Sequence, residues 1–236
     1  MPNLRVQQQN KTHCSDRYMR RTDRNVAKLM GLGPHGRLFP ENQQQLKAYC
    51  RETSQLVEKI EGFMKNCYPK EVQDMANLMI YSVKSNVRLF CRKKTKKLIK
   101  LMEQTPCINR EIVRDDVCLK KFSNDTLALI PWKGDDQTKM KHVCCNYVAS
   151  MQCADDYMEN VPCIRNNKGL MMDFIRGIFG SVVDVMCGEY NEYTNKCKEL
   201  SPAPQFKLEN RRTYESFIFV LLDLFDTLNT FSIPNA

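Results

Sequence analysis

Residues 41–91 read ENQQQLKAYCRETSQLVEKIEGFMKNCYPKEVQDMANLMIYSVKSNVRLFC. Leu46, Tyr49, Cys50, Thr53, Val57, Ile60, Met64 and Cys67 recur every three or four residues, which is the period of one helical face. Pro69 then stands in a first-turn position, where its missing N–H costs nothing, and a second apolar stripe runs through Met75, Leu78, Met79, Val83, Val87, Phe90 and Cys91. Two long helices with so short a link form an antiparallel hairpin.

The pattern returns 96 residues later, because Cys67 to Cys91 and Cys163 to Cys187 are both separations of 24. Met75 matches Met171, Leu78 matches Phe174, Met79 matches Ile175, Val83 matches Phe179 and Val87 matches Val183. Phe63-Met64-Lys65-Asn66 before Cys67 is echoed by Tyr157-Met158-Glu159-Asn160 before Cys163, and a first helix of the second copy is expected over 137–158. Equal cysteine spacing together with matched apolar positions points to internal repetition.

The predicted fold class is therefore all-α: a disulfide-linked helical bundle with two copies of a helical-hairpin unit and a C-terminal amphipathic helix. Residues 1–38 read as a basic polar N-terminal arm, 39–107 as helical unit one, 108–136 as a connector and 137–198 as helical unit two. A proline-containing linker and the amphipathic helix fill 199–236, with Phe217, Val220, Leu221, Leu224, Phe225, Leu228 and Phe231 on one face.

Composition agrees with this reading. The chain has 236 residues, 42% hydrophobic and 27% charged, a formal charge of +9, and only nine glycines, which argues against Gly-rich phosphate loops. Twelve cysteines point to an oxidising compartment and a protein that is extracellular. The first residues, MPNLRVQQQNKTHC, hold no apolar run of signal-peptide length, so a leader is expected to have been removed or lost from this numbering. Asn10 and Asn124 head glycosylation sequons, as a secreted glycoprotein would carry. No stretch approaches the apolar length of a transmembrane segment.

Cys50 and Cys91, and Cys144 or Cys145 and Cys187, are placed to face each other across the two hairpins, while Cys67 and Cys163 are expected to reach downstream to Cys107 and Cys197. His142-Val143-Cys144-Cys145 is the densest group of metal-ligand types, but structural disulfides account for it and no metal or other cofactor is expected. The adjacent cysteines are followed by Asn146-Tyr147-Val148-Ala149-Ser150, without the His-Asp dyad that a secreted phospholipase A2 places two residues after such a pair, so that activity is not expected. No nucleophile elbow, P-loop or H-E-x-x-H motif occurs, so catalysis has no visible carrier and the chain reads as non-enzymatic.

Arg92, Lys93, Lys96, Lys97 and Lys100 fall within about 140° of one helical face, a basic patch suited to anionic glycan or lipid. No nucleic acid is expected, since no aromatic residues interleave with these charges.

The helical units, the Phe/Tyr-Met-x-Asn segments ahead of Cys67 and Cys163, and Arg88-Leu89-Phe90-Cys91 resemble a group of arthropod secreted proteins that includes the insect 27 kDa hemolymph glycoproteins. The resemblance covers roughly residues 49–197 and implies a secreted, all-α, disulfide-linked protein; it carries no functional residue. From the residues themselves two functions are expected, the first as the leading reading and the second as its alternative. One is a carrier for a hydrophobic small molecule, motivated by thirteen adaptable methionines. The other is an extracellular interaction protein that binds anionic surfaces, such as sulfated glycans or lipid, through the basic face.

Overall fold

The computed structural model describes residues 14–30, 36–92, 96–112, 117–203 and 213–228. Among them are ten helices and no strand: α1 (Asp16–Met30), α2 (Gln43–Cys67), α3 (Lys70–Arg92), α4 (Lys96–Ile112), α5 (Val117–Leu129), α6 (Asp136–Glu159), α7 (Pro162–Arg165), α8 (Lys168–Cys187), α9 (Lys196–Glu199) and α10 (Phe217–Phe225). The protein is an all-α, disulfide-linked bundle.

Local chemistry starts the long helices where the sequence suggests. The Asn42 side chain accepts the Gln45 N–H at 3.0 Å at the head of α2, and Asp135 accepts the Thr138 N–H at 2.8 Å at the head of α6. Ahead of α6, Trp132 lies so close over Gly134 that an added Cβ would meet its ring at 2.5 Å, so this turn requires glycine. Pro69 stands immediately before α3, as a hairpin link.

Six disulfides join all twelve cysteines, each of which lies among the described residues. Cys50–Cys91 crosses the α2–α3 hairpin and Cys144–Cys187 crosses the α6–α8 hairpin. The expected Cys67–Cys107 and Cys163–Cys197 pairs are replaced by Cys14–Cys67, Cys107–Cys163 and Cys145–Cys197. The reason is directional: α1 runs antiparallel to α2, which carries Cys14 to the end of α2, and α4 packs against α7, which carries Cys107 to Cys163. The outcome is one order of bridging used twice. Cysteines 14, 50, 67 and 91 pair first with third and second with fourth, and so do 107, 144, 163 and 187. Cys118–Cys153, joining α5 to α6, and Cys145–Cys197 are additional to that scheme.

This pattern sets α1-α2-α3 beside α5-α6-α8, with α3 against α8 as the broadest contact between the two sets. Two stretches that read as irregular are helical. The polar arm holds α1, and the expected connector 108–136 holds the end of α4 and all of α5. Pro106 lies inside α4; Thr105 Oγ1 lies 2.8 Å from the Met102 carbonyl, the acceptor that a proline at 106 leaves without its helical donor. In α5 the Lys120-Lys121 and Ser123-Asn124-Asp125 runs obscure an apolar stripe of Phe122, Thr126 and Leu129, whose burial against α6 and α10 supplies the helix with its support.

The C-terminal helix also departs from expectation. α10 is not amphipathic: Phe217 to Leu222, Leu224 and Phe225 are all buried, with Val220, Leu222 and Leu224 fully so. Ile218, Phe219 and Leu222 occupy the side that an amphipathic helix would give to water, so α10 is inserted among its neighbours. Phe231, expected on the same face, lies outside the described residues. One continuous core runs from Ile60, Met64 and Met75 through Phe219 and Leu222 to Met158 and Met171. No helix among the described residues is long and apolar enough to cross a membrane.

Candidate functional site

Helix α1 is held against α2 at both ends. Cys14–Cys67 fixes its start. At its other end the buried Arg37 donates through Nε to the Lys28 carbonyl at 2.9 Å, through Nη1 to the Tyr49 carbonyl at 3.0 Å, and through Nη2 to Thr53 Oγ1 at 2.7 Å. Its guanidinium lies 3.8 Å from the centroid of the Tyr49 ring. Burial pushes the Tyr49 phenol above its usual range, an effect that Arg37 offsets in part. Arg37 also pairs with Glu52 at 3.4 Å. The clamp thus takes a terminal carbonyl of α1 and two groups of α2 on one planar cation, a geometry lysine lacks.

A third tie comes from Asp23. Its carboxylate accepts the Glu215 N–H at 2.6 Å, the Ser216 N–H at 2.9 Å and the Ser216 hydroxyl at 2.6 Å, so α1 caps the buried start of α10. Burial pushes the Asp23 carboxyl above its usual value, and the bonds from Ser216 and Glu215 pull it back only in part.

Between these ties a groove of about 850 Å³ lies along α1 and α2. Arg17, Arg20, Arg21, Arg24 and Lys28 line it at i, i+3, i+4, i+7 and i+11, and Lys59 of α2 faces them. Two acids share the lining, Asp16 and Glu52, and Glu52 is already engaged by Arg37. Arg24 reaches Glu215 at 3.7 Å; Arg17, Arg20 and Arg21 form no ion pair among the described residues. A second recess of about 260 Å³ continues the groove toward the Cys14–Cys67 end, with Arg21, Asn25 and Lys59 common to both and Tyr18, Gly62 and Phe63 added. A row of guanidinium groups along an open channel can hold sulfate, phosphate or carboxylate groups in two-pronged hydrogen bonds.

The basic patch read from sequence is placed differently. Lys96 and Lys100 are exposed on α4, whereas Lys93 and the Arg92 and Lys97 side chains lie outside the described residues. The patch spans the end of α3 and the beginning of α4, and neither Lys96 nor Lys100 lines the α1–α2 groove. The arginine face of α1 was open to the same helical reading. It is concealed by its surroundings, because α1 offers only short apolar anchors, Val26, Leu29 and Met30 among them, within a strongly polar segment.

The His142-Val143-Cys144-Cys145 group is taken up by disulfides and packing. Cys144 and Cys145 are bonded to Cys187 and Cys197, while His142 packs edge-on to Trp132 with ring centroids 5.4 Å apart, and burial lowers its pKa. No cluster of three metal-ligand side chains occurs among the described residues. Of the two sequons, Asn10 lies outside the described residues and Asn124 is exposed on α5; Thr126 of the same sequon is fully buried. No protein-family model, curated protein or solved structure matches this chain.

Proposed function

We propose that the protein is a secreted, non-enzymatic interaction protein that holds an anionic partner in the basic groove between α1 and α2. The observation that carries this reading is the row of Arg17, Arg20 and Arg21 beside Lys59, solvent-facing and with no ion pairs among the described residues. Cations gathered in a channel between helices focus positive potential, and a polyanion entering it releases counterions. Six disulfides support an oxidising, extracellular setting, the same setting in which the Asn124 sequon would be used. Because Thr126 is buried in the folded chain, sugar addition at Asn124 would precede folding.

Retention on immobilised dextran sulfate across a salt gradient tests the reading. Arg20→Glu with Arg21→Glu is expected to bring elution to markedly lower salt and to flatten the salt dependence. Neutralising Lys96 and Lys100 is expected to change elution less. Wild-type retention by the Arg20/Arg21 variant overturns the proposal. The hydrophobic-carrier reading stands second, since Met64, Met75, Met158, Met171 and Met172 are buried within the continuous core, where packing accounts for them.

A further inference from the structure

The groove has a feature that its charge does not explain. Gly62 lies in the interior of α2, where glycine is less favourable than alanine. A Cβ built at Gly62 meets no atom within 4 Å, so neither close packing nor a left-handed backbone calls for glycine there. What the missing side chain leaves open is the 260 Å³ recess, with Tyr18 and Phe63 as aromatic walls, Arg21 and Lys59 as cations and Asn25 as an amide.

From that juxtaposition we propose that the α1–α2 groove is a seat for a sulfated oligosaccharide, one sugar ring entering the recess over Gly62 against Tyr18 while its sulfates meet Arg21 and Lys59. This rests on the anionic-partner reading and names its ligand class. Two aspects of the geometry favour a linear glycan over a flat anionic membrane. The cations from Arg17 to Lys28 follow a strip about 16 Å long down one helix, and the recess is concave. An aromatic ring packs against the apolar face of a sugar, and flanking amide and guanidinium N–H groups donate to its hydroxyl and sulfate oxygens. Nucleic acid is less well served: Tyr18 and Phe63 sit together at one end of the strip, so they offer no succession of rings for stacked bases.

The test uses the full oxidised chain and a heparin-derived hexasaccharide, with binding measured by calorimetry. Gly62→Leu fills the recess without changing charge, Gly62→Ala fills it less, and Arg20→Ala with Arg21→Ala removes charge from the strip. Gly62→Leu is expected to weaken binding at least fivefold and Gly62→Ala about twofold, both with an undiminished melting temperature; the arginine variant is expected to weaken binding tenfold or more. The desulfated hexasaccharide is expected to bind at least tenfold more weakly than the sulfated one. If both Gly62 variants bind like wild type while the arginine variant is impaired, the sugar seat is wrong and the anionic groove stands. If the arginine variant also binds like wild type, both fail. Equal or tighter binding of phosphatidylserine vesicles or of single-stranded DNA, at matched charge, overturns the choice of a sulfated glycan. Should Gly62→Leu fail to fold, Gly62→Ala alone decides: wild-type affinity from that variant overturns the sugar seat.

Discussion

The α1–α2 and α5–α6 seams hold equivalent places in the repeated bridging scheme, and each has a disulfide at the start of its shorter helix, yet they carry different side chains. Between α5 and α6, Cys118–Cys153 brings Cα atoms to 5.6 Å, and the Ser150 hydroxyl donates to the Cys118 carbonyl at 3.2 Å within the same seam. Between α1 and α2 the Cys14–Cys67 bridge and the Arg37 clamp lie at the two ends, and the length between them carries Arg17, Arg20 and Arg21. Both bridges hold the start of the shorter helix, so the difference lies in the side chains that follow: α5 buries Phe122, Thr126 and Leu129, whereas α1 adds the exposed Arg17, Arg20 and Arg21 to its buried Val26 and Leu29. One helical arrangement thus gives a structural face and a candidate binding face.

The largest effect should come from removing what both seams share. The six bridges close loops of 35 to 56 residues, each worth about 3–4 kcal/mol, which together exceed the stability of an ordinary domain. Full reduction is expected to abolish most helical circular dichroism, and a reduced chain that keeps its helicity would mean that the core alone sustains the fold.

Opening only the α5–α6 seam should cost less. Cys118→Ala combined with Cys153→Ala is expected to lower unfolding free energy by about 3–4 kcal/mol in denaturant titration. Amide exchange should rise in α5 and stay unchanged in α1. Equal exchange in the two helices would end the contrast between the seams.

Detaching α1 from α10 is a smaller cut. Asp23→Ala leaves the half-buried Glu215 N–H and the buried Ser216 N–H and hydroxyl without their acceptor, and is expected to cost about 2–3 kcal/mol. The pH dependence has a defined sign. The folded pKa of Asp23 lies above its unfolded value of 3.8, so the folded state is the better proton acceptor. The ionised carboxylate therefore weighs against stability at neutral pH, and that cost is recovered as pH falls through the folded pKa toward 3.8. Asp23→Asn, fixed in a neutral form, should lack this acid-side gain when unfolding free energies are compared across that window.

The smallest expected effect is favourable. Gly62→Ala should raise stability by about 0.5–1 kcal/mol, because its Cβ enters open space and the unfolded chain loses freedom. A lower melting temperature would show that the α2 backbone needs glycine at this point.

Sequence alone determined the helical class, the α2–α3 and α6–α8 hairpins and the Cys50–Cys91 bridge, while it left Cys144 and Cys145 as alternative partners of Cys187, between which the structure selects Cys144. Apolar periodicity and short links are local properties, and the facing of Cys50 with Cys91 follows from them. The candidate site was legible only in part, since Arg17 to Lys28 repeat at helical spacing but only the packing of α1 on α2 turns that row into one wall of a groove. Tertiary structure decided the rest. The Thr105 hydroxyl meets the Met102 carbonyl that Pro106 leaves free within α4, neighbouring elements bury every residue of α10 but Asp223, and antiparallel docking brings Cys14 to Cys67 across a separation of 53 residues. These outcomes depend on which surfaces meet, and contacts between residues distant in the chain leave no periodic trace in the order of its amino acids.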